Sequence, residues 1–172
     1  MELYKEDLLL RPLVESDIEM IFNGLSHPEV IRYYGVSTRN MEEAKLQMKW
    51  YHEHESAGTG KFWVITDVND KQFKGVIGIY DIDNTHRKAE IGFWLLPEHQ
   101  RKGIMHKSIN LVCNFAFKQL KLHRIEAFVE SEHKHCLRLM EKSSFRFEGC
   151  MKDCEIKHDR FISLKIYSLL AE

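Results

Sequence analysis

Several things are scarce or missing in this 172-residue chain. No apolar run is long enough to span a bilayer, and Met1-Glu2-Leu3-Tyr4-Lys5 lacks the cationic start and apolar stretch of a secretory signal. There are only three prolines and nine glycines, and no repeat, Ser/Gly-rich linker or low-complexity tract. Nothing therefore divides the chain, and one domain over residues 1–172 is expected. An excess of one charge is missing as well: 25 Lys and Arg against 26 Asp and Glu leave a net charge of −1. That balance gives no drive toward nucleic acid or an anionic membrane, and neither partner is expected. The four cysteines, Cys113, Cys136, Cys150 and Cys154, include no C-x-x-C pair. Free thiols and a cytoplasmic location follow as expectations. The ten histidines include His52 with His54 and the run His133-Lys134-His135-Cys136. Neither group has a second ligand pair at zinc spacing, so no metal is expected.

What is present reads as alternating elements. Leu8 to Leu13 reads as a first strand ending at Pro12. Ser16-Asp17-Ile18-Glu19 has the form of a capping box before a helix with Ile18, Ile21, Phe22 and Leu25 on one face. A second helix is predicted from about Asn40, its tail fraying from His52 into a loop at Gly60. Strands are predicted at 62–67, 73–81 and 89–96, the last central because only Glu90 interrupts its apolar character. A helix from about Gly103 to Leu120 follows, with Met105, Ile109, Val112, Phe115 or Ala116, and Leu120 at core spacing. Then come a strand at 123–130, a short helix at 135–142, and closing strands at 145–151 and 161–170. This order implies a mixed α/β (α+β) fold, one sheet with helices on both faces.

The segment Pro97 to Ser108 joins the apolar strand to a helix through a polar turn with a glycine and two cations. Unpaired N–H groups at a helix N-terminus, reinforced by the helix dipole, favour an anion, and phosphate is the common one. Here Gln100-Arg101-Lys102-Gly103-Ile104-Met105 resembles the Gln/Arg-x-x-Gly-x-Gly/Ala pyrophosphate loop of the GNAT acetyltransferase superfamily. Residues 8–17, 26–35, 89–103, 120–130, 141–145 and 145–153 extend the resemblance, in order, to the branch that acetylates the N-termini of ribosomal proteins. The resemblance implies a GNAT-like fold with a central, mostly antiparallel sheet of about six or seven strands. It also implies an acyltransferase that uses acetyl-CoA and acts on a primary amine, a protein N-terminus being one acceptor and a homodimer one assembly.

The same resemblance implies roles for particular residues. Pantetheine would lie along Phe93, Trp94 and Leu95, and the diphosphate over Gln100, Arg101, Lys102, Gly103, Ile104, Met105 and His106. Four positions depart from the family pattern: Met105 for Gly or Ala, His133 for an Asn that contacts pantetheine, Cys136 for a Ser, and Ser144 for a Gly. If Ser144 ends its helix with positive φ, the strain is roughly 1 kcal/mol. The position of the frequent acidic Tyr holds Met140, which leaves Cys136 as the candidate acid; a helix N-terminus would lower its thiol pKa. Two carboxylates are candidate bases. Glu155 matches the ribosomal branch more closely and is ranked first. Glu90, the lone charge in its strand, is expected to have a raised pKa. Acetylation of a polyamine or amino sugar, and a non-catalytic CoA-binding protein, remain as alternative readings.

Overall fold

The computed structural model describes all 172 residues. Eight strands form one sheet: β1 (Leu3–Lys5), β2 (Leu8–Pro12), β3 (Gly60–Asp67), β4 (Gly75–Asp83), β5 (Lys88–Leu95), β6 (Arg124–Glu130), β7 (Arg146–Lys157) and β8 (Arg160–Leu170). Their spatial order is β1-β2-β3-β4-β5-β6-β8-β7, and only the β5–β6 pairing is parallel. The helices are α1 (Ile18–Leu25), α2 (Pro28–Ile31), α3 (Met41–Ala57), α4 (Ile104–Lys118) and α5 (Lys134–Lys142).

Side-chain alternation sorts the two faces. Trp63, Ile77, Ile79 and Ile91 pack against Ile109, Val112 and Ala116 of α4 and Met140 of α5 in the larger core. On the opposite face Phe62, Val76 and Trp94 meet Ile21, Leu25 and Val30 of α1 and α2 and Tyr51 of α3. The second core depends on Gly24, where an added Cβ would lie 2.1 Å from the Trp94 ring. Alanine is the better helix former by roughly 1 kcal/mol, but overpacking a fixed ring costs about 1–3 kcal/mol. Gly24→Ala is therefore expected to destabilise the protein by about 1 kcal/mol, measured as a lower urea midpoint with an unchanged slope.

Local details differ from the sequence expectations. The Ser16–Glu19 capping box does not form. Arg11 instead holds Asp17 through two 2.8 Å bonds, and the Asp17 carboxylate accepts the Val14 N–H at 2.8 Å, closing a short 3-10 turn. Helix α3 does not fray at His52 but runs to Ala57, where Gly58 at φ 71° ends it in the left-handed conformation. Ser144 takes φ 66° at the end of α5, the conformation its position requires in place of glycine.

The feature that positions the site is a split in the sheet. β5 and β6 pair only at Lys88–Arg124, Ala89–Ile125 and Glu90–Glu126, and beyond Glu90 they diverge. β5 stays bonded to β4 as far as Leu95, while β6 stays bonded to β8 as far as Glu130. A wedge-shaped cleft opens between them and passes through the sheet.

Candidate active site

The cleft belongs to a cavity of about 1260 Å3 bordered by Ile91 to Leu95 of β5 and Ala127 to Glu130 of β6. The Leu96 N–H bonds the Lys74 carbonyl on the β4 side. Strand alternation therefore turns the main-chain groups of Ile91, Phe93 and Leu95 toward the cleft. Gln100 Nε2 donates to the Leu95 carbonyl at 3.0 Å, which leaves Phe93 with free main-chain groups on that edge. Trp94 corrects the expectation from sequence. Its main chain pairs with Val76, and its ring enters the α1–α3 core.

One end of the cleft suits a polyanion. Arg101 has φ 58° and Gly103 has φ 77°, and this sharp turn delivers the chain into α4 without a capping side chain. The Ile104, Met105 and His106 N–H groups precede the first intrahelical bond, Lys107 N–H to the Gly103 carbonyl. They remain free for an anion. An added Cβ at Gly103 would meet no atom within 4 Å, so the protein requires glycine there for conformation rather than for room. Arg101, Arg138 and Lys142 border the same space. Sequence reading missed the two α5 cations, although their spacing of four places them on one helix face. Lys102 does not border the cavity; it is exposed, and its charge acts on His99. The Met105 side chain is buried in the larger core, and the residue also borders the cavity. The His106 ring is tied to Ser143 Oγ at 3.0 Å.

The other end, on the α1–α3 face, is aromatic and acidic. Tyr80 and Glu90 are cross-strand partners, and the Tyr80 hydroxyl donates to Glu90 at 2.5 Å. Gly78 and Gly92 pair beside them. Added Cβ atoms there would strike the Phe62 ring at 2.2 Å and the Tyr80 ring at 2.9 Å, so the two glycines let both rings lie across the sheet. Trp50 closes over Tyr80 at 5.5 Å between ring centroids. Burial raises the Glu90 pKa. Tyr80 opposes that shift through its hydrogen bond, and the charges of Asp81, Glu126 and Glu155 add to it. Glu155 also borders the cavity but is exposed on β7.

His133 and Cys136 also border the cavity. The His133 ring stacks on Tyr33 at 4.5 Å, and its Nδ1 is buried without a partner. Burial lowers its pKa to about 4, with help from His135, Lys157 and Arg32, so the ring is neutral at pH 7. The expectation of a helix-activated Cys136 is corrected. Desolvation outweighs the two-turn helix, and the thiol is pushed up to about 12. Met140 is fully buried core.

The family model described as "Acetyltransferase (GNAT) domain" matches residues 7–146. The uncharacterized N-acetyltransferase YoaA of Bacillus subtilis (strain 168) is 31% identical over 164 residues, 95% of this chain and 93% of YoaA. Among solved structures, the spermidine N-acetyltransferase of Vibrio cholerae in complex with CoA and spermine is 26% identical with a TM-score of 0.86, covering 96% of each chain. A ribosomal L7/L12 alpha-N-protein acetyltransferase in complex with coenzyme A superposes with a TM-score of 0.89 over 99% of this chain and 98% of that one. At 19% identity that likeness concerns the fold.

Proposed function

The chain belongs to the GNAT acetyltransferase family, and on that premise we propose that it moves an acetyl group from acetyl-CoA to a primary amine by direct attack across the β5–β6 cleft. The observation that carries this reading is the polarity of the cleft, which is rich in cations and free amides at one end and in carboxylates and aromatic rings at the other. The diphosphate is assigned to the α4 amides with Arg101, and pantetheine to the Phe93 edge of β5, beside His133. The amine enters as an ammonium, drawn by Glu90, Asp81 and Glu155, and must lose a proton before it attacks. Glu90 is ranked above Glu155 as the base because it is half-buried, held by Tyr80 and raised toward the working pH.

Three acceptor classes come from the sequence, a protein N-terminal amine, a polyamine and an amino sugar; all present an ammonium. The ribosomal-branch resemblance supports the first. Similarity to the Vibrio cholerae enzyme, solved with CoA and spermine, supports the second. The test is CoA thiol release from acetyl-CoA with a panel of N-terminal peptides, spermidine and simple alkylamines. Release with none of them would refute the proposal and leave a CoA-binding protein.

We assign Cys136, which borders the cavity, to the departing sulfur, but with a limited role. A thiol near 12 does not protonate an ordinary thiolate, whose acid has a pKa of about 8.5, without an uphill step. It can still donate a hydrogen bond. Cys136→Ser is expected to keep the rate, and Cys136→Ala to lower kcat by up to about tenfold, the effect of one lost hydrogen bond. Equal turnover in Cys136→Ala and the unaltered protein would reduce Cys136 to packing.

A further inference from the structure

Residues 32–38, between α2 and α3, all border the cavity, yet no hydrogen bond between main-chain groups involves residues 33–37. The segment is held at its two ends. At one, the Thr38 N–H donates to the Leu25 carbonyl at 2.8 Å. At the other, the Arg32 N–H closes α2, and the Arg32 carbonyl accepts Lys157 Nζ at 2.9 Å. Lys157 also pairs with Glu130, the last residue of β6. It comes from the end of β7, on the arm that β7 and β8 form beyond Leu164, where β8 parts from β6. The Lys157 side chain is 17% exposed and that of Glu130 11%. Taking two charges out of water costs nearly what their attraction returns, so a pair placed like this contributes position more than stability.

The groups it holds belong to the acceptor end. The Arg32 guanidinium lies 5.1 Å over the Tyr33 ring, and Tyr33 stacks on His133 at 4.5 Å. The His133 N–H donates to the Glu130 carbonyl at 2.9 Å, so Glu130 joins Lys157 to the start of α5 as well. The Tyr34 phenol, next along the segment, lies within electrostatic reach of Glu90, the proposed base. Glu155 shares the Lys157 face of the arm by strand alternation and borders the cavity, while Ile156 between them is 68% exposed. Lys157 does not itself border the cavity. We propose that Lys157 is a positioning residue for acetyl transfer: by joining the β7–β8 arm, the end of β6 and the Arg32 carbonyl, it holds residues 32–38 as the wall of the amine site. This rests on the acetyl-transfer reading and adds to it a residue that acts only through the groups it fixes.

The test uses Lys157→Met, which keeps the apolar stem and loses the charge. That change leaves Glu130 buried without its partner, so the double variant Lys157→Met, Glu130→Gln is measured beside it. In both, kcat/KM for the best amine of the panel is expected to fall about tenfold or more, while the acetyl-CoA Kd stays within about twofold. Two readouts do not need turnover. Chymotrypsin should cut after Tyr33 or Tyr34 severalfold faster than in the unaltered protein, because the segment has lost one of its anchors. The His133 titration, followed by NMR, should rise from about 4 in Lys157→Met, since the Lys157 charge helps to lower it. An unchanged amine kcat/KM in both variants would overturn the inference. So would equal losses of amine efficiency and acetyl-CoA affinity, the mark of general damage to the fold. If no amine supports release even in the unaltered protein, the acetyl-transfer reading fails by itself. The hold on residues 32–38 is then decided by the protease, and an unchanged cutting rate would overturn it.

Discussion

Glu90→Gln is expected to lower kcat/KM about a hundredfold or more while raising the melting temperature at neutral pH. The first effect is the usual size of a lost general base. The second follows from the raised pKa of Glu90. Between its unfolded and folded pKa values the folded state binds more protons than the unfolded one, so stability falls as pH rises through that window. Above the window the charged carboxylate is a net burden on the fold, and a neutral glutamine relieves it. A residue with only a structural role would not couple lost activity to gained stability. The pH profile gives a second check. Activity requires ionised Glu90, so its pKa sets the acidic limb. Tyr80→Phe removes a donor that favours the carboxylate and should move that limb to higher pH. Glu155→Gln removes a repelling charge and should move it to lower pH. Glu90→Gln should abolish the limb. If Glu90→Gln and Glu155→Gln both keep the full rate from pH 6 to 8, water or the substrate supplies the base and the assignment is wrong.

The reach of the sequence follows the range of the interactions involved. Strands β2 to β6 and β8 and helices α1, α3, α4 and α5 were readable because each carries its own apolar period or is bounded by turn residues, whereas β7 was expected to end at 151 and runs on to Lys157 through an exposed stretch with no alternation of burial. Strand β1 has three residues and α2 has four, too short to show a period. The capping box at Ser16 was misread because the decisive partner, Arg11, comes from the neighbouring strand. In the same way, the anion end of the cleft was legible in residues 100–106. It is built from consecutive main-chain groups, and a glycine in a strand-to-helix turn marks it. Lys102 was the exception, since the turn at Arg101 faces it outward. The acceptor end was legible only in Glu90 and Glu155. Tyr34, Trp50, Tyr51 and Tyr80 come from a loop, one helix and one strand, and no spacing brings them together. The signals that existed were indirect: Gly78 and Gly92, isolated within strands, marked the places where rings cross the sheet. Burial at Cys136 was likewise invisible, and it reversed the expected direction of the thiol's pKa.

Gly103→Asp is expected to abolish acetyl-CoA binding. Two causes act at one position. The residue sits at φ 77°, which costs most side chains about 1–2 kcal/mol of strain and asparagine or aspartate less. It also precedes the free N–H groups of α4, so an aspartate carboxylate would occupy the helix N-terminus that the diphosphate is proposed to use, and would repel it. In the unaltered protein, acetyl-CoA at a hundred times its Kd should stabilise the fold by about 2.7 kcal/mol, seen as a rise in melting temperature. Gly103→Ala carries the strain without the charge and should keep a reduced rise. Gly103→Asn suits positive φ and stays neutral, and should keep most of it. The order glycine, asparagine, alanine, aspartate would separate the electrostatic part from the conformational part. The same added Cβ meets no protein atom within 4 Å, so none of these variants is strained by packing. A full acetyl-CoA shift in Gly103→Asp would remove the diphosphate from this helix and with it the assigned direction of the cofactor through the cleft.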